Sequence, residues 1–202
     1  MKTYDFPPID RMNVERPTQH AIMFLAYPSP ADAAEISARS HRFRDMAGLR
    51  GRPLSTDRLH ITLFNLGVYG DGERYEDVIA QACKAAAMMA SSPIEIVLDR
   101  LQTFRRNSSD QPLVLTGSDG VKPLLRFREE LAMALIDSGL RRFVKSSFNP
   151  HMTLLYDSCA LQARTIDPVR WTMTEFVLVD SLRGRTRHVP LARWQLRGEP
   201  NG

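Results

Sequence analysis

Two stretches, Leu59-His60-Ile61-Thr62-Leu63 and Pro150-His151-Met152-Thr153-Leu154, carry one pattern in the two halves of the chain: histidine, apolar residue, threonine, leucine. Each lies inside a run with strand character. Successive side chains of a strand point to opposite faces, so His60 and Thr62 share one face while Ile61 and Leu63 share the other. The same alternation puts His151 beside Thr153. Each strand thus offers an imidazole and a hydroxyl on one side and apolar side chains for a core on the other. A single histidine in such a strand reads most simply as a hydrogen-bonded structural residue. A matched pair calls for a shared cause.

Working outward from the motifs, residues 21–27 read as a strand ended by Pro28. Ser29 and Pro30 form a cap followed by proline at the first helical position, which predicts a helix to about Met46 that stops near Gly48 and Gly51. After the second strand, residues 59–66, the glycine-rich turn 67–72 leads into a helix over about 73–90 with Asp71 as its cap. The runs 94–104 and 113–116, separated by the polar turn 105–112, predict a hairpin. Leu124, Phe127, Leu131 and Leu135 form a helical stripe over about 123–138, closed by Gly139. A strand with His151, a connection through Pro168 and the final runs 175–182 and 189–196 complete the chain. This order predicts an α+β fold with mainly antiparallel sheets. No linker composition interrupts it, so residues 1–202 are expected to form one domain, with 1–19 an extended N-terminal segment.

The bulk properties narrow the partners. A formal charge of +4 and a pI near 9.3 favour an anionic partner such as a phosphate or a short RNA. That excess is too small for a long duplex-binding surface. No apolar run approaches the roughly 18 residues of a membrane span, and residues 1–19 lack the apolar core of a signal peptide. The expectation is a cytoplasmic monomer without a membrane or protein partner. Cys83 and Cys159 form no Cys-x-x-Cys pair; whether they join in a disulfide stays open.

The residue types of the repeat suggest a chemistry. Imidazole titrates near pH 6.5, so near neutrality one copy can accept a proton while the other donates one. Phosphoryl transfer needs both acts, because an attacking oxygen loses a proton as a leaving oxygen gains one. If the two strands face each other across a groove, Thr62 and Thr153 can hold the non-bridging oxygens. No cofactor and no metal are called for. His-Glu-x-x-His, Gly-x-Ser-x-Gly and P-loop patterns do not occur.

Paired His-x-Thr motifs about ninety residues apart resemble those of the two-histidine phosphoesterase superfamily. It includes bacterial RNA 2',3'-cyclic phosphodiesterases, historically called 2'-5' RNA ligases, and plant-type cyclic phosphodiesterases. Residues 21–28, Leu101-Gln-Thr-Phe104, 112–117, 148–154, 176–181 and 188–196 are similar to further segments of that family. The resemblance implies two lobes related by a pseudo-twofold axis, helices on the outside, and the histidines in a central groove. It implies that His60 protonates the leaving oxygen and that His151 activates water. The expected activity is metal-free hydrolysis of 2',3'-cyclic phosphate ends of RNA or nucleotides to 2'-phosphates. Alternatives are 2'-5' RNA ligation, hydrolysis of a cyclic ADP-ribose phosphate, or RNA-end binding without catalysis. One departure is Leu155-Tyr156, where RNA phosphodiesterases of the family often carry an arginine; a tyrosine there is similar to the plant-type enzymes.

Other residues are less decided by sequence. Tyr156 is expected on the face of His151 and Thr153, either touching a phosphate or base or standing at the rim. Phe64 and Phe104 can stack a base, although a core role is favoured for both. Arg183, Arg185 and Arg187, like Arg105 and Arg106, can attract phosphates or simply form solvated basic loops. His20, His41 and His188 have no matching partners and read as structural or surface residues.

Overall fold

The chain runs β1 (Gln19–Ala26), α1 (Pro30–Met46), β2 (Ile61–Tyr69), α2 (Glu76–Ala87), β3 (Ile94–Thr103), β4 (Gln111–Thr116), α3 (Lys122–Asp137), β5 (His151–Asp157), β6 (Arg164–Met173), β7 (Glu175–Arg183) and β8 (Arg187–Gln195). This computed structural model describes residues 19–105, 109–185 and 187–198; the N-terminal segment through residue 18, and Arg106, lie outside the described residues. The eight strands form an antiparallel sheet in the order β6-β3-β4-β5-β2-β1-β7-β8. With the three α-helices among the described residues, this is the α+β class.

The local signals explain most of the elements. Ser29 Oγ accepts from the Asp32 N–H at 3.2 Å, and Pro30 opens α1. Leu124, Phe127, Leu131 and Leu135 of α3 are all buried. After α3, Gly139 takes φ +88°, and the Leu140 N–H returns to the Leu135 carbonyl at 2.8 Å.

Two expectations need correction. Asp71 does not cap α2. Gly72 takes φ +84°, the Glu73 carboxylate turns back to the Gly70 N–H, and the helix starts only at Glu76. The stretch through Pro168 is not a connection but strand β6. Proline is tolerated there because β6 lies at the sheet edge. Pro168 also sits where the register against β3 slips, between Leu98–Val169 and Arg100–Thr165. Cys83 and Cys159 are both free thiols. Among the described residues, no helix is long and apolar enough to cross a membrane.

The sheet divides into two four-stranded halves, with the motif-bearing strands β2 and β5 innermost. Among the described residues the registered pairing between them is Ile61 opposite Met152. The seam is short because the chain before β2 occupies the rest of the β5 edge. The Leu54 N–H donates to the Leu154 carbonyl at 2.7 Å. Farther along, the Arg50 and Gly51 N–H groups donate to Asp157 Oδ2 at 2.7 and 2.6 Å. A Cβ on Gly51 would lie 2.0 Å from the Tyr156 carbonyl oxygen, so only glycine lets the two backbones approach this closely. Ile61, Leu63, Met152 and Leu154 project to the face where the helices pack, in one cluster with Phe24, Ile36, Phe127 and Leu131. The other face is left as the groove, floored in the β1–β7 half by Leu25, Val177 and Val179, against which Tyr27 packs.

Candidate active site

His60 immediately precedes β2 and His151 opens β5, so the same period-two alternation sends both imidazoles away from the core. With Ile61 opposite Met152 in an antiparallel pair, Thr62 faces toward His151 and His60 toward Thr153. Each imidazole therefore has the other strand's threonine beside it. Thr62 and His151 line one cavity of about 290 Å³, and the charge of His151 reaches His60. All four side chains are half-buried, between the sealed core and open solvent.

The two rings are held the same way. The Nδ1–H of His60 donates to the Arg58 carbonyl at 2.7 Å, and that of His151 to the Asn149 carbonyl at 2.9 Å, in each case two residues upstream. A carbonyl can only accept, so the proton is fixed on Nδ1. In the neutral ring Nε2 is then the acceptor. His60 is pushed down to about 4, chiefly by burial, then by the charge of His188, and further by Arg58 and His151; its bond to the Arg58 carbonyl opposes this.

The remaining expected residues divide. The Phe104 ring lies 5.0 Å from the ring of His151, half-buried on the wall of the same cavity. Phe64 is only 3% exposed and Arg128 covers it, so it takes the core role favoured for it, at the edge of the same cavity, and not that of a face for a base. Tyr156 is 41% exposed. It shares the His151–Thr153 face because the register against β4 shifts between Leu113 and Val114: Thr153 faces Val114 and Tyr156 faces Pro112. Arg105, Arg183 and Arg185 are exposed. His41 bonds the Ser37 carbonyl within α1, and His20 is tied to Asp180 at 2.6 Å.

His188 is the larger correction. Sequence placed it among structural or surface residues, yet its ring stands edge-on to His60 at 5.0 Å. The Tyr27 hydroxyl meets His188 Nδ1 at 2.8 Å. Burial first, and then Arg58, push His188 below its ordinary value, while burial raises Tyr27 to about 12. Tyr27 and His188 line a cavity of about 300 Å³ with Asp57, Arg58, Arg187, Pro190 and Arg193. No repeat pointed to His188, because its face depends on how β8 pairs with β7. The one local hint was Arg58, so close to the first motif.

Arg128 was also missed. Its side chain lies between Phe64 and Phe148, at 4.4 and 4.3 Å from the ring centres, and donates to the Leu63 and Lys145 carbonyls. It thereby ties α3 to β2 and to the segment leading into the second motif. Among the described residues, no group of three or more His, Cys, Asp or Glu side chains is placed to hold a metal ion.

Comparison with known proteins agrees with this arrangement. The sequence model of the 2'-5' RNA ligase superfamily matches residues 28–185, a region that contains both motif strands. The RNA 2',3'-cyclic phosphodiesterase of Escherichia coli (strain K12) is 32% identical over 186 residues, covering 86% of this chain and 96% of that protein. The crystal structure of E. coli LigT in apo form superposes with a TM-score of 0.64 and 28% identity, over 89% of this chain and 99% of that one. LigT complexed with 3'-AMP gives 0.63 and 29%, over 90% and 99%. The chain belongs to the 2'-5' RNA ligase superfamily.

Proposed function

We propose that this protein is a phosphodiesterase that hydrolyses 2',3'-cyclic phosphates at RNA ends or on nucleotides, with His60 and His151 as its acid and base. The observation that carries the reading is the matched pair: two histidines, each fixed through Nδ1 to the carbonyl two residues upstream, each beside the other strand's threonine across one seam. The 32% identity to an RNA 2',3'-cyclic phosphodiesterase supports it, as does the likeness to E. coli LigT complexed with 3'-AMP, a nucleotide phosphate.

In this reading a water attacks phosphorus and passes a proton to Nε2 of His151. The bond from phosphorus to O3' breaks as that oxygen takes the proton from Nε2 of His60, leaving a 2'-phosphate and a free 3'-hydroxyl. Thr62 and Thr153 donate to the non-bridging oxygens, whose charge builds in the transition state. Phe104 offers a face to the base. The depressed value of His60 leaves its ring neutral near pH 7 in the free protein. A cyclic phosphate anion laid against the ring favours its charged form, so His60 takes up its proton as the substrate binds.

The test is a product analysis. The purified protein, incubated with 2',3'-cyclic AMP and with an oligonucleotide ending in a cyclic phosphate, should release 2'-phosphates, identified by phosphorus NMR. A 3'-phosphate product, or tight binding with no turnover, contradicts the reading; the latter would point to an RNA-end-binding protein.

A further inference from the structure

The cavity beside His60 is built differently from the one lined by Thr62 and His151. Its walls carry three arginines, one histidine and one tyrosine hydroxyl against a single carboxylate, Asp57. Arg193 is compensated by Glu175 at 2.5 Å. Arg58 and Arg187 have no ion-pair partner among the described residues, and Arg58 Nε is buried without a hydrogen-bond acceptor. A buried donor of this kind leaves a desolvation cost standing until an acceptor arrives.

Two strands that are distant in sequence assemble this wall. Tyr27 follows β1, whereas Arg187, His188, Pro190 and Arg193 come from β8. The register slips between the Leu178–Ala192 and Val179–Pro190 pairs, which brings Arg193 onto the face of His188. The Tyr27 hydroxyl, whose elevated value keeps its proton on, is hydrogen-bonded to His188 Nδ1. The lining thus offers guanidinium donors together with a hydrogen-bonded hydroxyl–imidazole pair. At about 300 Å³ the cavity lies at the small end for ligand pockets.

We infer that this cavity is a second phosphate site, which holds the 5'-phosphate of the same nucleotide whose 2',3'-cyclic phosphate lies between His60 and His151. The inference rests on the function proposed above, since that reaction puts the ribose beside His60. Arg58 links the two sites directly: its carbonyl orients His60, and the residue also lines the cavity. One ribose carries both phosphates, and the His60 and His188 rings are 5.0 Å apart. The cavity also explains a cost. Arg58 and His188 disfavour a charged His60, and a phosphate between them offsets that effect just when the acid must be charged.

The experiment separates this site from the catalytic one by binding. Titration calorimetry of the wild type with adenosine 3'-monophosphate and adenosine 3',5'-bisphosphate should show the bisphosphate bound about tenfold or more tightly, the contribution of charge-assisted hydrogen bonds. Arg187→Gln should erase most of that preference, and Arg187→Lys should restore part of it. Arg187 is exposed, so folding is not at stake, and thermal unfolding of each variant checks this. Equal affinity for the two nucleotides in the wild type overturns the second site while leaving the catalytic reading intact. An unchanged preference in Arg187→Gln also overturns it. Failure of both nucleotides to bind overturns the reading of the groove itself. Turnover of a cyclic mononucleotide bearing a 5'-phosphate, against a cyclic-ended dinucleotide whose linking diester takes the same place, then shows whether the preferred phosphate belongs to a free nucleotide or to an RNA chain. In Arg187→Gln the advantage of either over an unphosphorylated cyclic nucleoside should fall about tenfold.

Discussion

Ile61 stands opposite Met152, and this pair joins the two halves of the sheet at the point where both histidine motifs begin. The two side chains are fully buried on the core face, so the residues flanking them are turned into the groove. Replacing either histidine therefore removes a proposed acid or base without opening the core. His60→Ala and His151→Ala should each lower turnover of a 2',3'-cyclic nucleotide on the order of 100-fold or more. Circular dichroism should stay unchanged. Near-wild-type rates in both variants would remove them from the chemistry.

In the proposed mechanism the two imidazoles supply both proton transfers, so chelation should have no effect. Activity after dialysis against EDTA should equal that before it; loss of activity restored by a divalent ion would point to a different mechanism.

The ionisation of His60 has a measurable signature. Its native value is pushed down to about 4, whereas in the unfolded chain it titrates near its ordinary 6.5. Between those values the unfolded state takes up a proton that the native state refuses. This contribution is complete above pH 6.5 and is lost as the pH falls toward 4, by on the order of 2–3 kcal/mol. Urea unfolding at several pH values should show that loss in the wild type and a shallower one in His60→Gln. Its imidazole proton resonance should titrate near 4 in the free protein and move upward when inorganic phosphate is added. Identical pH slopes in the two proteins count against the assignment.

Asp157 pins the chain before β2 to the end of β5. Its carboxylate accepts from the backbone N–H groups of Cys159, Arg50 and Gly51, and these bonds hold its value below the ordinary 3.8. Its stabilisation is present above the ordinary carboxylate range and disappears as acid protonates it. Asp157→Ala leaves these donors unpaired and should cost about 2–4 kcal/mol in denaturant unfolding. A cost below about 0.5 kcal/mol would show that water replaces the carboxylate fully.

Arg128→Leu should cost a similar amount, about 2–4 kcal/mol, because the Leu63 and Lys145 carbonyls lose their donor and two aromatic faces lose their cation. Arg128→Lys should not rescue it, since an ammonium cannot stack flat between Phe64 and Phe148 while reaching both carbonyls. Full stability in the lysine variant would mean that charge alone matters there.

The α+β class, the three helices and the two motif strands were legible in the sequence, and for one reason. Helix caps, the stripe from Leu124 to Leu135, and the alternation of His60 and Thr62 against Ile61 and Leu63 are set by neighbours a few residues apart. What failed was nonlocal. Pro168 reads as a breaker until β6 is known to be an edge strand with a register slip beside it. His188 reads as isolated until the pairing of β8 with β7 turns it toward His60. The sequence by itself determined which faces the motif side chains take, because a strand's alternation is fixed by its own backbone. The tertiary structure decided which residues surround them, because strand order and register come from contacts between separate elements, from the Ser181–His188 hairpin pair to the Ile61–Met152 and Gln19–Arg183 pairs that span most of the chain.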